Sequence, residues 1–335
     1  MKKRIFGALG AVAIATLAMS GCASDPLSPT ETTGPAESSA PAELTKISVV
    51  VAPIHFEPAY IADREGFFAE EGLEVEIIPG GAPTANIARA VSGEVDITTG
   101  SLGTLVTSAA QGVPVIGIAG NGYTSPDNAT SGVLALKSSG IETPGDLAGR
   151  TVGIQGLNTG SEIPLFLAAE AHGIDPLSIE RVEIASAGME TALVEGTVDA
   201  VLASAPQYNQ ILARDDVHLV SNPSTEYMAG TPVTVWVVST DWLADNADTA
   251  SAFVRAMEKA QAFYEDPANL DAILDITAEI SQVDRANLSA NSLIPVSVAF
   301  DLKQSNVQAD GFYTFGIISK AVNIDDILWS EAPRR

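Results

Sequence analysis

Short polar loops that follow predicted strands contain the side chains that could bind a ligand. They hold an imidazole, aromatic rings, hydroxyls, amides and one carboxylate, which bind small molecules through hydrogen bonds and stacking. In an open α/β sheet, ligands usually bind at the carboxyl ends of the strands. The candidate binding residues are therefore His55, Phe56, Glu57, Ser101, Leu102, Asn121, Tyr123, Asn158, Thr159, Gly160 and Ser161.

The loop at residues 156–161 allows two interpretations. Backbone N–H groups are unpaired at a helix start, so residues 158–161 could hold an anionic or carbonyl oxygen. Their side chains could instead cap the helix and contact no ligand. Residues 100–102 present the same two alternatives in the first half of the chain, and the loop at residues 55–57 could equally be a solvated turn.

The sequence contains no recognisable metal-binding or catalytic motif. His55, His172 and His218 are scattered, and no Cys/His pair has the spacing of zinc ligands. The sequence has no Gly-x-Ser-x-Gly turn, EF-hand pattern or Gly-Lys dipeptide of a phosphate-binding loop. We therefore expect no metal, no cofactor and no catalytic residue, and a protein that binds its ligand without changing it.

Composition limits the class of protein and of partner. The chain has 335 residues, of which 46% are hydrophobic, enough for a large core. A chain of this length suggests about two domains. The 42 acidic residues outnumber the 17 basic ones and give a formal net charge of −25. Such a charge argues against binding to nucleic acid and indicates a solvated acidic surface.

The N-terminus has the pattern of an export signal. Three basic residues precede an apolar run at residues 5–19, which is too short to span a membrane as a mature helix. The only cysteine, Cys22, ends this region in a sequence that resembles a bacterial lipobox. We therefore expect a signal peptide at residues 1–21 and a lipidated Cys22 that starts a disordered tether at residues 22–44. An ordinary secretory signal with an incidental cysteine is the alternative.

The elements that must position the loops begin with residues 47–78. An apolar β-branched run, a Pro-initiated helix over residues 58–71 ended by Gly72, and a second strand predict a β-α-β unit. Further strand and helix pairs predict parallel sheets with right-handed crossovers. Residues 89–96 and 192–199 each end a helix on glycine and open a strand on Val-Asp. This repeat is either the usual glycine-containing connection between a helix and a strand or a sign that the chain has two similar halves.

Five segments together resemble a family of binding proteins. They read PAYIA at residues 58–62, GFFAEEGLEV at 66–75, SGEVD at 92–96, DLAGRTVG at 146–153 and EGTVDA at 195–200. On these segments the chain is similar to the periplasmic binding proteins of the nitrate, sulfonate and taurine type, a group that includes binders of thiamin-pyrimidine precursors. Each segment alone is weak, and none specifies the ligand.

The resemblance implies a two-lobed α/β fold, the periplasmic-binding-protein fold of type II. Each lobe would be a mainly parallel sheet flanked by helices. Lobe 1 would comprise residues 45–134 with 238–335, and lobe 2 residues 135–237, joined by crossing hinge strands at 132–137 and 231–239. Such a protein, expected to be a monomer, would bind a small solute in the cleft and pass it to an ABC permease in the membrane.

The resemblance also implies that the ligand contacts the loops at His55, at Ser101 and at Asn158. It adds the second-lobe loop at Pro206, although many relatives have Trp-Glu before this proline and the present chain does not. None of these loops contains Lys or Arg. Aromatic groups such as Tyr208 therefore suit a small organic solute, for example a sulfonate, taurine or a pyrimidine precursor, better than an inorganic anion.

Two other functions are alternatives to an extracytoplasmic solute-binding lipoprotein at the cell membrane. Some relatives of the pyrimidine-precursor binders are synthases that consume their own histidine and need iron, and His55 could serve that chemistry. A binding receptor could also signal to a membrane sensor without transport.

Overall fold

The computed structural model covers most of the chain after the predicted tether. The predicted signal peptide at residues 1–21, the predicted lipidation site Cys22 and the tether up to residue 42 lie outside the described residues. The structure describes residues 43–335 apart from Ile54, Pro126, Asn128, Asn158 and Pro206.

Ten strands and thirteen α-helices make up the described chain. The strands are β1 (Thr45–Val51), β2 (Leu73–Pro79), β3 (Ile97–Ser101), β4 (Val115–Gly120), β5 (Ser131–Leu136), β6 (Thr151–Ile154), β7 (Glu180–Glu183), β8 (Ala200–Ser204), β9 (Val217–Ser221) and β10 (Thr234–Ser239). The helices are α1 (Glu57–Arg64), α2 (Phe67–Glu70), α3 (Pro83–Val91), α4 (Leu102–Ala110), α5 (Glu162–Ala171), α6 (Met189–Val194), α7 (Gln207–Leu212), α8 (Pro223–Tyr227), α9 (Thr240–Asp245), α10 (Ala247–Glu265), α11 (Leu270–Ser281), α12 (Leu302–Thr314) and α13 (Ile324–Ile327). Short 3-10 turns lie at Pro144–Leu147, Pro176–Ser178, Ser186–Gly188, Pro267–Asn269, Arg285–Asn287 and Ala290–Ser292.

The strands form two five-stranded sheets with the same topology. The first sheet has the order β2-β1-β3-β10-β4, and the second has the order β7-β6-β8-β5-β9. In each sheet one strand, β10 or β5, is antiparallel to both of its neighbours, and the other four run in one direction. The prediction of two lobes with mainly parallel sheets is therefore confirmed. We call each sheet with its helices the first and the second lobe.

The sequence repeat between the halves has a structural cause. Gly93 and Gly196 both adopt positive φ, at 74° and 72°, after the helix that precedes the third strand of each lobe. The carboxylate of Asp96 accepts a hydrogen bond from the backbone N–H of Ser48, at 2.7 Å. Asp199 does the same for Thr151, at 2.8 Å. Each aspartate thus ties the start of its strand, β3 or β8, to the neighbouring parallel strand, β1 or β6.

Two boundaries differ from the sequence-based predictions. The helix predicted over residues 58–71 is two helices, α1 and α2, because Gly66 adopts a left-handed conformation with φ 78° between them. Gly72 has φ 79°, as expected for the glycine that ends the second helix. The lobe boundaries predicted at residues 134 and 237 also shift, because β5 lies wholly in the second sheet and β10 wholly in the first.

The two chain crossings between the lobes lie next to these strands. Tyr123 and Pro232 form an isolated antiparallel bridge. The N–H of Thr124 donates to the carbonyl of Thr231 at 3.0 Å, and the N–H of Gly230 donates to the carbonyl of Thr124 at 2.9 Å. We call residues 122–124 and 230–234 the crossing segments. They are shorter than the hinge strands predicted from the sequence.

The C-terminal third of the chain packs mainly on the first lobe. Trp236 of β10 is fully buried, with its ring centroid 5.0 Å from that of Phe56 and 5.1 Å from that of Phe253 on α10. This aromatic cluster fixes α10 on the sheet, as the amphipathic pattern of residues 250–264 predicts. None of the described helices has both the length and the apolar composition needed to cross a membrane.

Candidate ligand cavity between the lobes

A cavity of about 460 Å³ lies between the two lobes. This volume is in the range of small-molecule sites. Its described lining contains no charged side chain, and nine of its seventeen residues carry a hydroxyl group among mostly apolar surface. The hydroxyl residues are Thr84, Ser101, Thr104, Thr107, Thr124, Thr159, Ser161, Ser224 and Thr231, and the remaining lining residues are Gly103, Gly160, Pro164, Met228, Pro232, Val233, Gln308 and Phe312.

The first-lobe wall of the cavity is the start of α4. Ser101 caps this helix, because its side chain accepts a hydrogen bond from the N–H of Thr104 at 3.0 Å. The hydroxyls of Ser101 and Thr104 are also 2.7 Å apart. Thr107 lies one turn further and donates to the carbonyl of Gly103 at 3.0 Å. The helix start therefore presents a row of hydroxyls whose remaining lone pairs and protons can meet a ligand.

The second-lobe wall is the turn that precedes α5. The hydroxyls of Thr159 and Ser161 are 2.6 Å apart. The carboxylate of Glu162, which is fully buried, accepts a hydrogen bond from the N–H of Thr159 at 3.0 Å and pairs with Arg181 at 2.8 Å. An acidic side chain thus already lies at the positive end of this helix. Glu162 therefore already takes the N–H of Thr159 that an anionic ligand at this wall could otherwise use.

The crossing segments form the third side of the cavity. The hydroxyl of Thr124 donates to the carbonyl of Met228 and accepts a hydrogen bond from the N–H of Thr231 at 3.2 Å. These bonds hold the polar groups of the crossing in place, while Met228 and Val233 supply apolar surface. A ligand at this side would contact both the connection between the lobes and the lobes themselves.

Helix α12 closes the cavity with Gln308 and Phe312. These residues are four apart and share one face of the helix. The amide oxygen of Gln308 and the hydroxyl of Thr231 are buried and have no hydrogen-bond partner among the described residues. Buried polar groups without partners are rare and cost stability, so both atoms are candidates for bonds to a ligand.

The structure brings together four of the residues predicted from the sequence. Ser101 lines the cavity from the first lobe, and Thr159, Gly160 and Ser161 line it from the second. Ser161 occupies the cap position of α5 but makes no capping hydrogen bond with its side chain. Asn158 and Pro206, which were also predicted, lie outside the described residues.

Five predicted residues are placed in the protein core and line neither of the cavities between the lobes. Phe56 packs on Trp236, and Leu102 is fully buried beneath the start of α4. Asn121 donates to the carbonyl of His55 at 2.6 Å, which fixes the loop after β1. Glu57 and Tyr208 are also buried: the carboxylate of Glu57 accepts a hydrogen bond from the hydroxyl of Thr277, and the hydroxyl of Tyr208 donates to Asn222.

His55 and Tyr123 line a smaller cavity of about 70 Å³ that shares Thr124, Ser224 and Val233 with the larger one. His55 has a φ of 63°, a left-handed conformation that is uncommon outside glycine but favoured several-fold by Asn, Asp and His. Burial lowers the pKa of His55 below its ordinary value, so its ring is neutral at physiological pH. The loop after β1 therefore lies beside the main cavity instead of forming its wall.

Sequence reasoning missed the lining residues on α4, on the crossing segments and on α12. A signal existed for α4, since Thr104 and Thr107 follow Ser101 at helical spacing and must share its face. No local signal marked Thr231 or Gln308, because their position depends on contacts with distant parts of the chain.

The buried carboxyl of Glu57 makes stability depend on pH. Glu57 is 3% exposed, and this burial raises its pKa above the ordinary value of 4.5. As pH rises through 4.5, the unfolded chain releases this proton before the folded protein does. The Glu57 contribution to the free energy of unfolding therefore falls as pH rises above this value.

We expect a Glu57→Gln variant to lack this dependence. Relative to the wild type, its free energy of unfolding should increase as pH rises above 4.5, measured by urea denaturation at several pH values. If the free energies of unfolding of the two proteins differed by the same amount at every pH, the carboxyl would have the same pKa in the folded and the unfolded state.

Among the described residues, no group of three or more His, Cys, Asp or Glu side chains is arranged to hold a metal ion. The polar groups around the cavity are hydroxyls and amides, which are poor sole ligands for transition metals. The geometry thus suits reversible binding through hydrogen bonds.

Comparison with known proteins agrees with this geometry. The chain is 27% identical over 232 residues to a formylaminopyrimidine-binding protein of Halalkalibacterium halodurans, covering 68% of this chain and 67% of the relative. It is 35% identical over 127 residues to a 4-amino-5-hydroxymethyl-2-methylpyrimidine phosphate synthase of Legionella pneumophila, covering 38% of each chain.

The fold also matches solved structures. The periplasmic aliphatic sulphonate binding protein SsuA of Escherichia coli superimposes with a TM-score of 0.69 at 15% identity, covering 86% of this chain and 98% of that one. The protein therefore has the periplasmic-binding-protein fold. Residues 54–269 match the family described as NMT1/THI5 like, and the chain belongs to this family.

Proposed function

We propose that the protein is an extracytoplasmic receptor that captures a small, uncharged organic solute between its lobes and delivers it to an ABC permease. The cavity carries this proposal, because it lies between two lobes of a binding-protein fold and its described lining combines apolar surface with hydroxyl side chains and no charged group. Hydroxyls, amides and an aromatic ring suit a planar heterocycle with hydrogen-bonding substituents.

A pyrimidine precursor fits this cavity better than a sulfonate, taurine or nitrate. An anion bound away from water needs a positive charge or several free hydrogen-bond donors, and none of the described lining residues carries a positive charge. The start of α5 already holds the Glu162 carboxylate. The name of the relative from Halalkalibacterium halodurans supports the same ligand class.

We expect formylaminopyrimidine to raise the thermal unfolding midpoint of the protein, whereas taurine, an alkanesulfonate and nitrate should leave it unchanged. A ligand at a hundred times its dissociation constant adds about 2.7 kcal/mol to the free energy of unfolding. Differential scanning fluorimetry at matched ionic strength measures this shift. Stabilisation by the anions alone would contradict the proposed ligand class, and no shift with any compound would contradict the proposed function.

We further propose that the receptor is a monomer held at the extracytoplasmic face of the membrane by a lipid on Cys22. The basic N-terminus, the apolar run and the single cysteine support this. A Cys22→Ala variant should be released from the membrane fraction while binding its solute normally. Retention of that variant in the membrane fraction would contradict lipid anchoring.

A synthase that uses His55 is the second candidate function, because His55 is neutral and lines a smaller cavity that shares three lining residues with the main one. Such an enzyme would need iron, and the described residues provide no cluster of ligands for it. Iron-dependent product formation that is lost in His55→Ala would favour the synthase over the receptor.

A further inference from the structure

Helix α12 is in contact with both lobes at the cavity. A β-carbon on Gly103 of the first lobe or on Gly160 of the second would lie 2.9 Å from the ring of Phe312. A β-carbon on Gly311 would lie 2.6 Å from Ile163 on α5. These close approaches place the buried Phe312 ring between the helix starts of the two lobes. Any ligand in the cavity therefore lies against α12 as well as against both lobes.

Gln308 presents an amide to the cavity one turn before Phe312. Its amide nitrogen lies on the side of Gly160, since a β-carbon there would be 3.6 Å from this atom. Its amide oxygen is buried and has no partner in the described part of the chain. The hydroxyl of Thr231, which is 2% exposed, lines the same cavity and also has no partner. The lining of this cavity thus contributes an acceptor and a hydroxyl that have no partner among the described residues.

We propose that Gln308 determines ligand specificity by accepting a hydrogen bond from an N–H group of the solute, while the hydroxyl of Thr231 bonds another polar atom of the solute. This inference rests on the proposed function. A neutral ligand with an N–H donor satisfies the orphaned oxygen, whereas a carboxylate or sulfonate oxygen would face it with like partial charge. Gln308 lies beyond residues 54–269, which match the family, so family membership alone does not specify this contact.

The first arm of the test uses the wild-type protein and two ligands. Formylaminopyrimidine should bind about tenfold more tightly than its analogue that is methylated on the formamide nitrogen and dimethylated on the exocyclic amine, because these changes remove every N–H donor. Isothermal titration calorimetry gives both dissociation constants. Equal affinities would overturn the inference while leaving the receptor function intact, and a wild-type protein that binds neither compound would overturn both.

The second arm assigns the preference to Gln308. Gln308→Leu should bind formylaminopyrimidine about tenfold more weakly and lose the discrimination between the two ligands. Gln308→Glu keeps an acceptor and should bind more tightly than Gln308→Lys, which offers only donors. The reverse order would show that the glutamine donates to the ligand. Asp310→Asn, on the exposed side of the same helix, is the matched control and should bind like the wild type.

Discussion

Replacement of Arg181 by methionine is expected to destabilise the second lobe strongly. The guanidinium lies 2.8 Å from the carboxylate of Glu162, which is fully buried. It also lies 5.0 Å from the centroid of the Phe166 ring. Methionine keeps much of the aliphatic length but leaves the carboxylate without its counter-charge. Removing one partner of a buried ion pair costs about 3–5 kcal/mol, a large share of the stability of a typical domain.

Chemical denaturation of the Arg181→Met variant measures this loss. Arg285→Met is the matched control, because Arg285 pairs with Asp271 and Asp275, whose side chains are 96% and 69% exposed. Such surface pairs contribute about 0–1 kcal/mol. A second change, Glu162→Gln in the Arg181→Met background, removes the unpaired charge and should recover most of the stability. If the double variant is no more stable than Arg181→Met, an unpaired carboxylate is not the cause of the loss of stability.

The same substitution is expected to weaken solute binding. Glu162 accepts the N–H of Thr159, and Thr159 and Ser161 line the cavity. Without Arg181, the buried carboxylate gains by turning toward water, and this movement weakens its bond to Thr159. The second-lobe wall then loses its fixed geometry. The affinity for the solute should therefore fall, although Arg181 itself does not line the cavity.

The lobes were predictable from sequence because their signals are local. An apolar β-branched strand, a proline at a helix start and a glycine at a helix end each act within a few residues. The repeated aspartates Asp96 and Asp199 have the same basis, since each bonds the neighbouring strand of its own lobe. Regular local patterns repeated in two halves therefore identified the architecture.

The orientation of the loop side chains was not predictable in this way. Phe56 and Leu102 follow strands at the expected edge of the sheet, yet both point into the core. Position at a strand end places the backbone near a ligand, but the direction of each side chain depends on local dihedral angles and on packing against partners such as Trp236. Apolar side chains in such loops contribute more by burial than by ligand contact.

No sequence pattern indicated that helix α12 lines the cavity. The two residues through which it lines the cavity, Gln308 and Phe312, lie about 150 residues along the chain from the second-lobe wall that they face. Nothing local distinguishes them from an ordinary glutamine and core phenylalanine on a helix. Their role follows from close packing, which only the folded structure supplies.

Substitution of Gly311 by alanine is expected to disturb this packing and with it the cavity. The new β-carbon would lie 2.6 Å from the Cγ2 atom of Ile163, a distance that forces α12 and α5 apart. Alanine favours a helix over glycine by about 1 kcal/mol. Overpacking of a core typically costs about 1–3 kcal/mol, so a net loss of stability would reveal the clash. Gly81→Ala, where the β-carbon meets nothing within 4 Å, is the matched control.

A double-mutant cycle with Ile163→Ala isolates the contact between the two helices. Because alanine at residue 163 removes the clashing atom, the double variant should be more stable than the sum of the two single changes predicts. Ligand affinity should follow the same order, since Gln308 and Phe312 move with α12. Additive effects on both stability and affinity would mean that the helices adjust independently, and that α12 does not couple the lobes to the ligand.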